Sequence, residues 1–291
     1  MFETTNRDRT SFDPASLGKG CAAIMGVLNV TPDSFSDGGQ FITPDLAAEH
    51  AAKMVAMGAD IIDIGGESTR PGADAVSETE ELDRVIPVVE RIVGQNLAPV
   101  SVDTSKPAVM REAVRVGAAM INDVRALQSD DALEAVADLA VPVCLMHMQG
   151  QPKNMQDSPN YRDVVSDVVG FLKSRVAACL SVGISPERIV LDPGFGFGKR
   201  LGDNLALLNA LPELVAMGYP VLAGLSRKSM IGEMTGQPAH RRLIGSVVLA
   251  LKAAEHGAAI VRVHDVSETR EALAILQAIR EQEKTEIGES S

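Results

Sequence analysis

Polar and charged residues follow short apolar runs at intervals along the whole chain. They include amides and carboxylates, which pair with the N–H and C=O edges of a heterocycle, and cations, which bind phosphate. No nucleophile and base stand together in sequence as nucleophilic catalysis would favour. The set therefore predicts a site that holds a polar heterocycle and a phosphate group. The candidates are Asn29, Thr69, Arg70, Asp103, Asn122, Asp123, His147, Asp192, Phe197, Lys228, Arg262 and His264.

Carboxylates and hydroxyls at strand ends can also cap the turn or helix that follows. Asp123 and Asp265 stand directly after apolar runs, and the preference of Asp for caps makes capping the favoured interpretation of both. For the segment around Asp103, capping and ligand binding stay equally open, and Ser105 is the better cap of the two.

Other candidates have equally simple alternatives. Asn29 is a common turn residue and Arg70 a common surface residue, so both of these interpretations stay open beside ligand binding. His147 lies between two methionines, and a structural role is favoured for it. Arg262 and His264 alternate with valines and share one face of a strand, which favours a functional pair.

A glycine-rich segment at residues 194–200 is similar in composition to a phosphate-binding loop, but it matches neither of the two common sequence templates for such loops. The GxGxxG pattern needs glycine where the chain has Lys199, and the P-loop needs Ser or Thr where it has Arg200. The glycines let the backbone approach a ligand, and Phe197 can lie against a ring. The segment therefore predicts a ligand-contacting loop, with an ordinary flexible loop as the alternative.

These residues need elements that bring distant parts of the chain together. Residues 22–28 are continuously apolar and short, which is typical of a strand buried on both faces. The pattern recurs along the chain, and a helical segment follows each strand, including one predicted helix over residues 204–217. The predicted strands are residues 22–28, 59–64, 99–102, 120–121, 142–146, 189–191, 220–225 and 259–263.

Eight strands that each precede a helix predict an α/β fold, a single (β/α)8 or TIM barrel. The active site of such a barrel lies at the C-terminal strand ends, where all the candidates converge. A doubly wound sheet would need a glycine fingerprint after the first strand, which the chain lacks. The predicted organisation is an N-terminal extension (1–20), the barrel (21–282) and a disordered tail (283–291).

Composition and charge narrow the classes of function. The chain is 45% hydrophobic but only 3% aromatic, so its core is expected to be aliphatic. A formal net charge of -12 predicts no nucleic-acid partner, because such surfaces need clustered cations. No apolar run is long enough for a membrane span, and residues 1–19 lack a secretory pattern. Three widely spaced cysteines predict a reduced, cytoplasmic protein.

The spacing of His and Cys predicts no protein-built metal cluster. Magnesium leaves no such pattern when phosphate oxygens of a substrate hold it together with one amide or carboxylate of the protein. A magnesium ion that arrives with a phosphorylated substrate is therefore compatible with the sequence.

Eight segments carry a specific resemblance to a known family. They occur in order, one for each predicted strand, from about residue 22 to residue 266. On these motifs the chain resembles the dihydropteroate synthases, the pterin-condensing enzymes of folate synthesis. The segments are residues 26–39 (GVLNVTPDSFSDGG), 65–72 (GGESTRPG), 102–106 (VDTSK), 121–124 (INDV), 145–150 (LMHMQG), 192–199 (DPGFGFGK), 226–228 (SRK) and 262–266 (RVHDV).

The resemblance implies condensation of 6-hydroxymethyl-7,8-dihydropterin diphosphate with p-aminobenzoate, which yields 7,8-dihydropteroate and pyrophosphate. It also implies Mg²⁺ as cofactor, these small molecules as binding partners, sulfonamides as ligands and a homodimer as the assembly.

Matched motif by motif, the resemblance assigns the candidates to three parts of one site. Those implied in catalysis are Asn29, Arg70, Lys228, Arg262 and His264. By ligand, the implied residues are Asp103, Asn122, Asp192 and Lys228 for the pterin; Asn29, Thr69, Arg70, Arg262 and His264 for the pyrophosphate; Thr69, Pro71, Phe35, Phe197 and Ser226 for p-aminobenzoate; and Asn29 for magnesium.

Three other functions stay open at this point. A pterin-dependent methyltransferase would share the barrel but would not need Arg70, Arg262 and His264 as a pyrophosphate clamp. A non-catalytic pterin-binding paralogue would usually have damaged loops, and those of this chain are whole. A Schiff-base aldolase would use Lys228, and borohydride with an aldehyde would trap it.

Overall fold

Eight parallel strands form the barrel of this protein. The structure, a computed structural model, describes residues 12–17, 21–31, 43–70 and 72–288. Four strands are shorter than the sequence predicts, most of all the seventh, and several strands end on a polar residue. They are β1 (Ala23–Asn29), β2 (Ile61–Gly65), β3 (Val100–Asp103), β4 (Met120–Asp123), β5 (Val143–Met146), β6 (Ile189–Asp192), β7 (Leu222–Ala223) and β8 (Ile260–Val263).

The strands pair in the order β6-β5-β4-β3-β2-β1-β8-β7. A parallel bridge between Leu191 and Val221 joins the two ends of this sheet, and the backbone N–H of Leu191 donates to the carbonyl of Pro220 at 2.9 Å. The sheet therefore closes on itself, and the predicted (β/α)8 barrel is confirmed.

Helices surround the barrel and begin where the sequence supplies suitable caps. Thr43 and Ser77 each accept a hydrogen bond from a backbone N–H of the first turn, and prolines open α1 and α3. The helices are α1 (Pro44–Ala56), α2 (Glu78–Val93), α3 (Pro107–Arg115), α4 (Ala132–Leu139), α5 (Val164–Ser181), α6 (Leu201–Asn209), α7 (Leu211–Val215), α8 (Ser229–Thr235), α9 (Leu243–Glu255) and α10 (Val266–Gly288).

Two parts of the helical pattern differ from the prediction. The helix expected over residues 204–217 is interrupted between α6 and α7, because Pro212 has no N–H for the carbonyl of Leu208. That carbonyl lies 2.7 Å from Nδ1 of His256 instead. The tail expected to be disordered from residue 283 continues α10 to Gly288, since residues 281–286 lack helix breakers.

The core has two layers, and both are aliphatic as predicted. A smaller cluster of alternate strand residues, among them Met25, Met120 and Ile260, fills the inside of the barrel. Branched side chains of the strands pack outward against the helices. Because both faces of the sheet are covered, polar side chains concentrate at the strand ends. Within the described residues, no helix has the length and apolar character needed to cross a membrane.

Candidate active site

The C-terminal ends of the first four strands place four site residues in one row. In the strand register Asn29 lies beside Gly65, Gly65 beside Asp103, and Asp103 beside Asn122. A Cβ atom on Gly65 would stand 3.5 Å from Oδ1 of Asn29 and 4.0 Å from Oδ2 of Asp103. Glycine thus leaves open space between an amide oxygen and a carboxylate oxygen, which a ligand can enter.

Arg262 of β8 connects this row to a carboxylate inside the barrel. Its Nε donates to Oδ2 of Asp63 at 2.6 Å, and its Nη2 donates to Oδ2 of Asp103 at 3.0 Å. Nδ2 of Asn122 donates to the same Asp63 oxygen at 3.2 Å. Asp63 therefore orients an arginine and an amide that both face the cavity.

The charges of this cluster depend on its burial. Burial raises the pKa of the Asp103 carboxyl to about 8, although the guanidinium of Arg262 opposes that rise. Burial also raises the pKa of Asp192. Burial alone would lower the pKa of Arg262, but Asp63 and Asp103 raise it, so the guanidinium stays charged. The cluster thus holds a permanent cation beside the Asp103 carboxyl, whose pKa is raised.

The Asp103→Asn variant is expected to change how stability depends on pH. Between the unfolded pKa near 3.9 and the folded pKa of about 8, folded wild-type protein binds the extra proton, so its unfolding free energy falls as pH rises. Asn does not titrate. The stability of Asp103→Asn relative to wild type should therefore increase by about 1 kcal/mol per pH unit between pH 5 and 7.

Urea denaturation of both proteins at pH 5, 6 and 7 measures that difference, and a variant of the exposed Asp130, Asp130→Asn, is the control. A difference for Asp103→Asn that stays constant with pH would contradict the assignment of a raised pKa to this carboxyl.

Lys228 and Phe197 form a second group with Asp192. Nζ of Lys228 lies 4.4 Å from the ring centroid of Phe197 and donates to the carbonyl of Phe195. Oδ1 of Asp192 accepts from the N–H of Gly194 at 2.7 Å, which fixes the carboxylate at the strand end. Burial lowers the pKa of Lys228 to about 8, and Asp192 opposes this shift. The group offers an ammonium, a carboxylate and an aromatic face.

His264 and Ser226 form the third group. The N–H of His264 donates to Oγ of Ser226 at 3.2 Å, and Nδ1 of His264 lies 3.0 Å from the same oxygen. Oγ accepts from the backbone N–H and can still donate its own proton to Nδ1, and in that arrangement the ring proton lies on Nε2. Burial, followed by the charge of Arg262, lowers the pKa of His264 to about 4. The imidazole is therefore neutral near pH 7, and with the proton on Nε2 it can donate from that atom.

The loop after β2 carries two of the candidates, but it does not bring their side chains into hydrogen-bonding contact with the other candidates that the structure describes. Thr69 is half-buried and Arg70 is exposed. Within the described residues, neither side chain hydrogen-bonds to another candidate, but the charge of Arg70 contributes to the lowered pKa of His264. The predicted p-aminobenzoate contacts Phe35 and Pro71 lie outside the described residues.

Two candidates have the structural roles that their sequence context favours. Asp123 accepts from the backbone N–H groups of Arg125 at 2.8 Å and Leu127 at 2.7 Å, and from the hydroxyl of Ser105. Its role in closing the turn after β4 is confirmed. Nδ1 of His147 lies 2.9 Å from Nζ of Lys199, which identifies a buried structural contact.

Sequence reasoning missed two residues that organise the site, Asp63 and Lys199. Asp63 interrupts an otherwise apolar strand, and a buried carboxylate at such a position needs a partner. That signal was available, but the partner, Arg262, stands 199 residues away in the chain. Lys199 lies in the glycine-rich segment that the sequence analysis identified as a ligand-contacting loop. Its burial could not be inferred from the sequence alone.

The residues near Asn29 fit a magnesium ion that arrives with its substrate. Oδ1 of Asn29 is a hard oxygen ligand beside the space left by Gly65. A protein-built site would need more oxygen ligands, whereas Mg²⁺ keeps several waters and binds substrate phosphates. The donor set therefore matches a metal shared with a diphosphate.

Comparisons with known proteins define the class. The family model described as pterin binding enzyme matches residues 25–264, so the chain belongs to the pterin-binding enzyme family. A relative from Haemophilus influenzae, named dihydropteroate synthase, is 56% identical over 88% of this chain and 93% of its own length. Within the family the chain thus groups with the dihydropteroate synthases, which are transferases of folate synthesis.

Solved structures agree in fold as well as in sequence. The Yersinia pestis dihydropteroate synthase in complex with a sulfonamide drug has a TM-score of 0.87 and 54% identity, and the match covers 90% of this chain and 95% of that one. The Xanthomonas albilineans dihydropteroate synthase with 4-aminobenzoic acid has a TM-score of 0.85 and 55% identity, with 89% and 93% covered.

Proposed function

We propose that the chain condenses 6-hydroxymethyl-7,8-dihydropterin diphosphate with p-aminobenzoate and releases pyrophosphate. The observation that carries the proposal is one network at the strand ends, in which Asn122 and Arg262 donate to the buried Asp63 and Arg262 also donates to Asp103. The three groups present an amide, a carboxylate and a cation to one cavity. Formation of dihydropteroate from the two purified substrates, followed by chromatography, tests it. No product at saturating substrates would reject it.

The pterin is proposed to lie among Asp103, Asn122, Asp192 and Lys228. Carboxylates accept the paired N–H groups of an aminopyrimidine edge, and the lysine ammonium donates to the ring carbonyl. Support comes from the burial of Asn122 and Asp192 and the partial burial of Asp103 and Lys228, which lets such hydrogen bonds form away from bulk water. N–H donors of the pterin would favour the charged form of Asp103 and so lower its raised pKa.

The pyrophosphate is proposed to be bound by Asn29, Thr69, Arg70, Arg262 and His264. Arg262 supplies a permanent cation, and Nε2–H of the neutral His264 supplies a hydrogen bond. Arg70 is exposed on the β2–α2 loop, so its side chain is free to close on an arriving anion. A negative ligand would raise the pKa of His264 and strengthen its hydrogen bond as it becomes charged.

The arylamine is proposed to lie against Phe197, with Thr69 and Ser226 beside it and Phe35 and Pro71 as further contacts. Phe197 is half-buried and carries Lys228 over its ring. A flat ring can pack on the phenylalanine while the lysine attracts its carboxylate. The same place would take sulfonamides, which resemble p-aminobenzoate in shape.

The reaction needs no covalent intermediate with the protein. The bond between the pterin methylene carbon and the diphosphate oxygen breaks, and its electron pair leaves with the pyrophosphate. The amine nitrogen then bonds to that carbon and loses a proton. We expect bond breaking to run ahead of attack, because the electron-rich pterin delocalises positive charge. Arg262 and His264 stabilise the departing pyrophosphate. The loops of the protein exclude water from the positively charged pterin methylene carbon.

Magnesium is proposed as the metal of this site, held by Asn29 and by oxygens of the diphosphate. When bound, Mg²⁺ would neutralise charge on the leaving group. The chain's own contribution is the amide oxygen of Asn29 at the end of β1, fixed by strand pairing with β2.

We propose a homodimer that buries the outer face of α9 and α10. Ile244 and Val248 follow each other by one turn on α9, and Ile275 and Ile279 do so on α10. All four side chains are more than half exposed, and the two helices pack side by side. An apolar patch of this kind is typical of a protein interface. A second copy is the proposed partner, in agreement with the family resemblance.

The Ile244→Glu variant is expected to separate the dimer, because a carboxylate would be buried without a partner. Light scattering after size exclusion should give about twice the chain mass of 30.7 kDa for wild type and the mass of one chain for the variant. Leu180→Glu, on the exposed face of α5, is the control and should leave the mass unchanged. A monomeric wild type would contradict the proposal.

A cytoplasmic location is proposed from the cysteines. Cys21, Cys144 and Cys179 are all free, and two of them are buried. Free thiols of this kind are typical of a reducing compartment.

A further inference from the structure

Lys199 is a charged side chain buried beside the site without a role in the proposed chemistry. It lies in the β6–α6 loop (residues 193–200) and is only 3% exposed. Its Nζ donates to the carbonyls of Gly194 at 2.9 Å, Phe197 at 3.1 Å and His147 at 3.3 Å. Nδ1 of His147 accepts a further contact at 2.9 Å. Four acceptors thus converge on one ammonium.

Converging carbonyl dipoles repel one another unless a cation lies between them. The carbonyls of Gly194 and Phe197 belong to opposite ends of one tight turn, in which the N–H of Phe197 donates to the carbonyl of Gly194 at 3.1 Å. His147 belongs to the neighbouring β5–α5 loop (residues 147–163). Lys199 therefore holds a turn closed and ties it to a second loop.

The two loops are packed too closely to shift independently. Gly194 has a φ of +67°, and a Cβ atom there would come within 1.9 Å of the carbonyl oxygen of His147. Gly198 has a φ of +61°, and its Cβ would come within 2.4 Å of the carbonyl oxygen of Gln149. The backbone conformation of the β6–α6 loop is thus fixed by its contact with the β5–α5 loop and by the hydrogen bonds that Lys199 donates to carbonyls of its own loop.

The same turn carries two groups of the proposed site. The carbonyls of Gly194 and Phe197 point to Lys199, whereas the carbonyl of Phe195 between them points to Nζ of Lys228. The ring of Phe197 lies 4.4 Å from that same Nζ. A rotation of any of these peptide planes would therefore move the aromatic face and the anchor of Lys228 together.

We propose that Lys199 is a positioning residue for the arylamine side of the site. Its ammonium holds the turn at residues 194–197 in the one conformation that presents Phe197 to the arylamine and the carbonyl of Phe195 to Lys228. The inference rests on the proposed function, since it assigns Phe197 to the amine-binding surface. Burial lowers the pKa of Lys199 to about 7, and the charge of Asp192 opposes this shift.

The first test compares wild type with Lys199→Met, which keeps the length of the side chain and removes its charge. A displaced Phe197 should raise KM for p-aminobenzoate about tenfold with kcat changed less than about threefold. Simple destabilisation would lower the active fraction, and hence the apparent kcat, without changing KM. Arg188→Met is the matched control, because Arg188 also donates to carbonyls, those of Val136 and Val141, but precedes β6 at the opposite end of the barrel.

The second test is chemical rescue of Lys199→Ala. This variant lacks the three carbons and the nitrogen that propylammonium supplies. Propylammonium should restore most of the affinity for p-aminobenzoate, whereas 1-propanol, which has a similar shape and no charge, should not. If Lys199→Met does not fold, Lys199→Ala prepared in propylammonium still gives the comparison. Equal KM values with amine and with alcohol, or a Lys199→Met KM within twofold of wild type, would overturn the proposal.

Hydrogen exchange of the amides at residues 194–198 provides a readout that does not depend on turnover. Faster exchange in Lys199→Met than in Arg188→Met is expected. A wild type without synthase activity would defeat the proposed function, while exchange would still decide whether Lys199 holds the turn. Unchanged exchange together with normal wild-type activity would defeat the positioning role alone.

Discussion

Arg262→Ala should lower kcat/KM for the dihydropterin diphosphate by at least about 10³, or about 4 kcal/mol of transition-state stabilisation. The variant removes the permanent cation that faces the departing pyrophosphate. It also leaves Asp63 and Asp103 without their shared partner. Loss of one partner from a buried ion pair costs about 3–5 kcal/mol, so the unfolding free energy should fall as well.

Arg262→Lys separates the two effects. A lysine keeps the charge near Asp63 but cannot donate to Asp63 and Asp103 through one planar group. Compared with Arg262→Ala, Arg262→Lys should regain a larger share of the wild-type unfolding free energy than of the wild-type kcat/KM. Urea denaturation and steady-state kinetics measure the two quantities. Arg270→Ala is the control, because Arg270 pairs with Asp60 just before β2, at the opposite end of the barrel. If kcat/KM of Arg262→Ala stays within tenfold of wild type, Arg262 is not part of the anion site.

Lys228→Met should weaken binding of the dihydropterin diphosphate by about 100-fold, since a hydrogen bond to a charged group contributes about 1.5–3 kcal/mol. The variant also leaves Asp192 without the charge that partly offsets its burial. Calorimetric titration without p-aminobenzoate measures the dissociation constant. Lys153→Met, at an exposed lysine paired with Asp74, is the matched control. Equal affinities for wild type and Lys228→Met would remove Lys228 from the pterin site.

The same titration has a characteristic pH dependence. Burial lowers the pKa of Lys228 to about 8, so the ammonium loses its proton as pH rises through that value. A pterin carbonyl accepts from the protonated form, and wild-type affinity should therefore fall above pH 8. Lys228→Met lacks this group and should show a flatter profile over the same range.

The barrel could be predicted from the sequence because its signal is local. Each strand is a short apolar run, and each run ends in polar residues, as between Leu28 and Asn29. Buried parallel strands can be identified without knowing which strands they pair with. The C-terminal ends of barrel strands necessarily lie at the same end of the barrel. The same logic predicts that Asp103 and Asn122 converge at one end of the barrel, and the strand register places them side by side.

The supporting contacts could not be predicted because they join residues far apart in sequence. Asp63 lies in the interior of β2, and only the approach of Arg262 from β8 explains its burial. Lys199 is surrounded by backbone carbonyls, which no side-chain pattern reports. The break at Pro212 was locally visible, but the compensating contact of His256 with Leu208 depends on the docking of α9. Sequence identified the polar residues at the strand ends better than the buried groups that contact them.

Pyrophosphate release by the wild-type protein is the most direct test of the central claim. Purified protein is mixed with 6-hydroxymethyl-7,8-dihydropterin diphosphate and magnesium, with and without p-aminobenzoate, and pyrophosphate and dihydropteroate are measured together. We expect sustained release only with p-aminobenzoate, and one dihydropteroate for each pyrophosphate. A protein that binds the pterin diphosphate tightly but releases no pyrophosphate would contradict the synthase assignment and would identify a pterin-binding protein without catalytic activity.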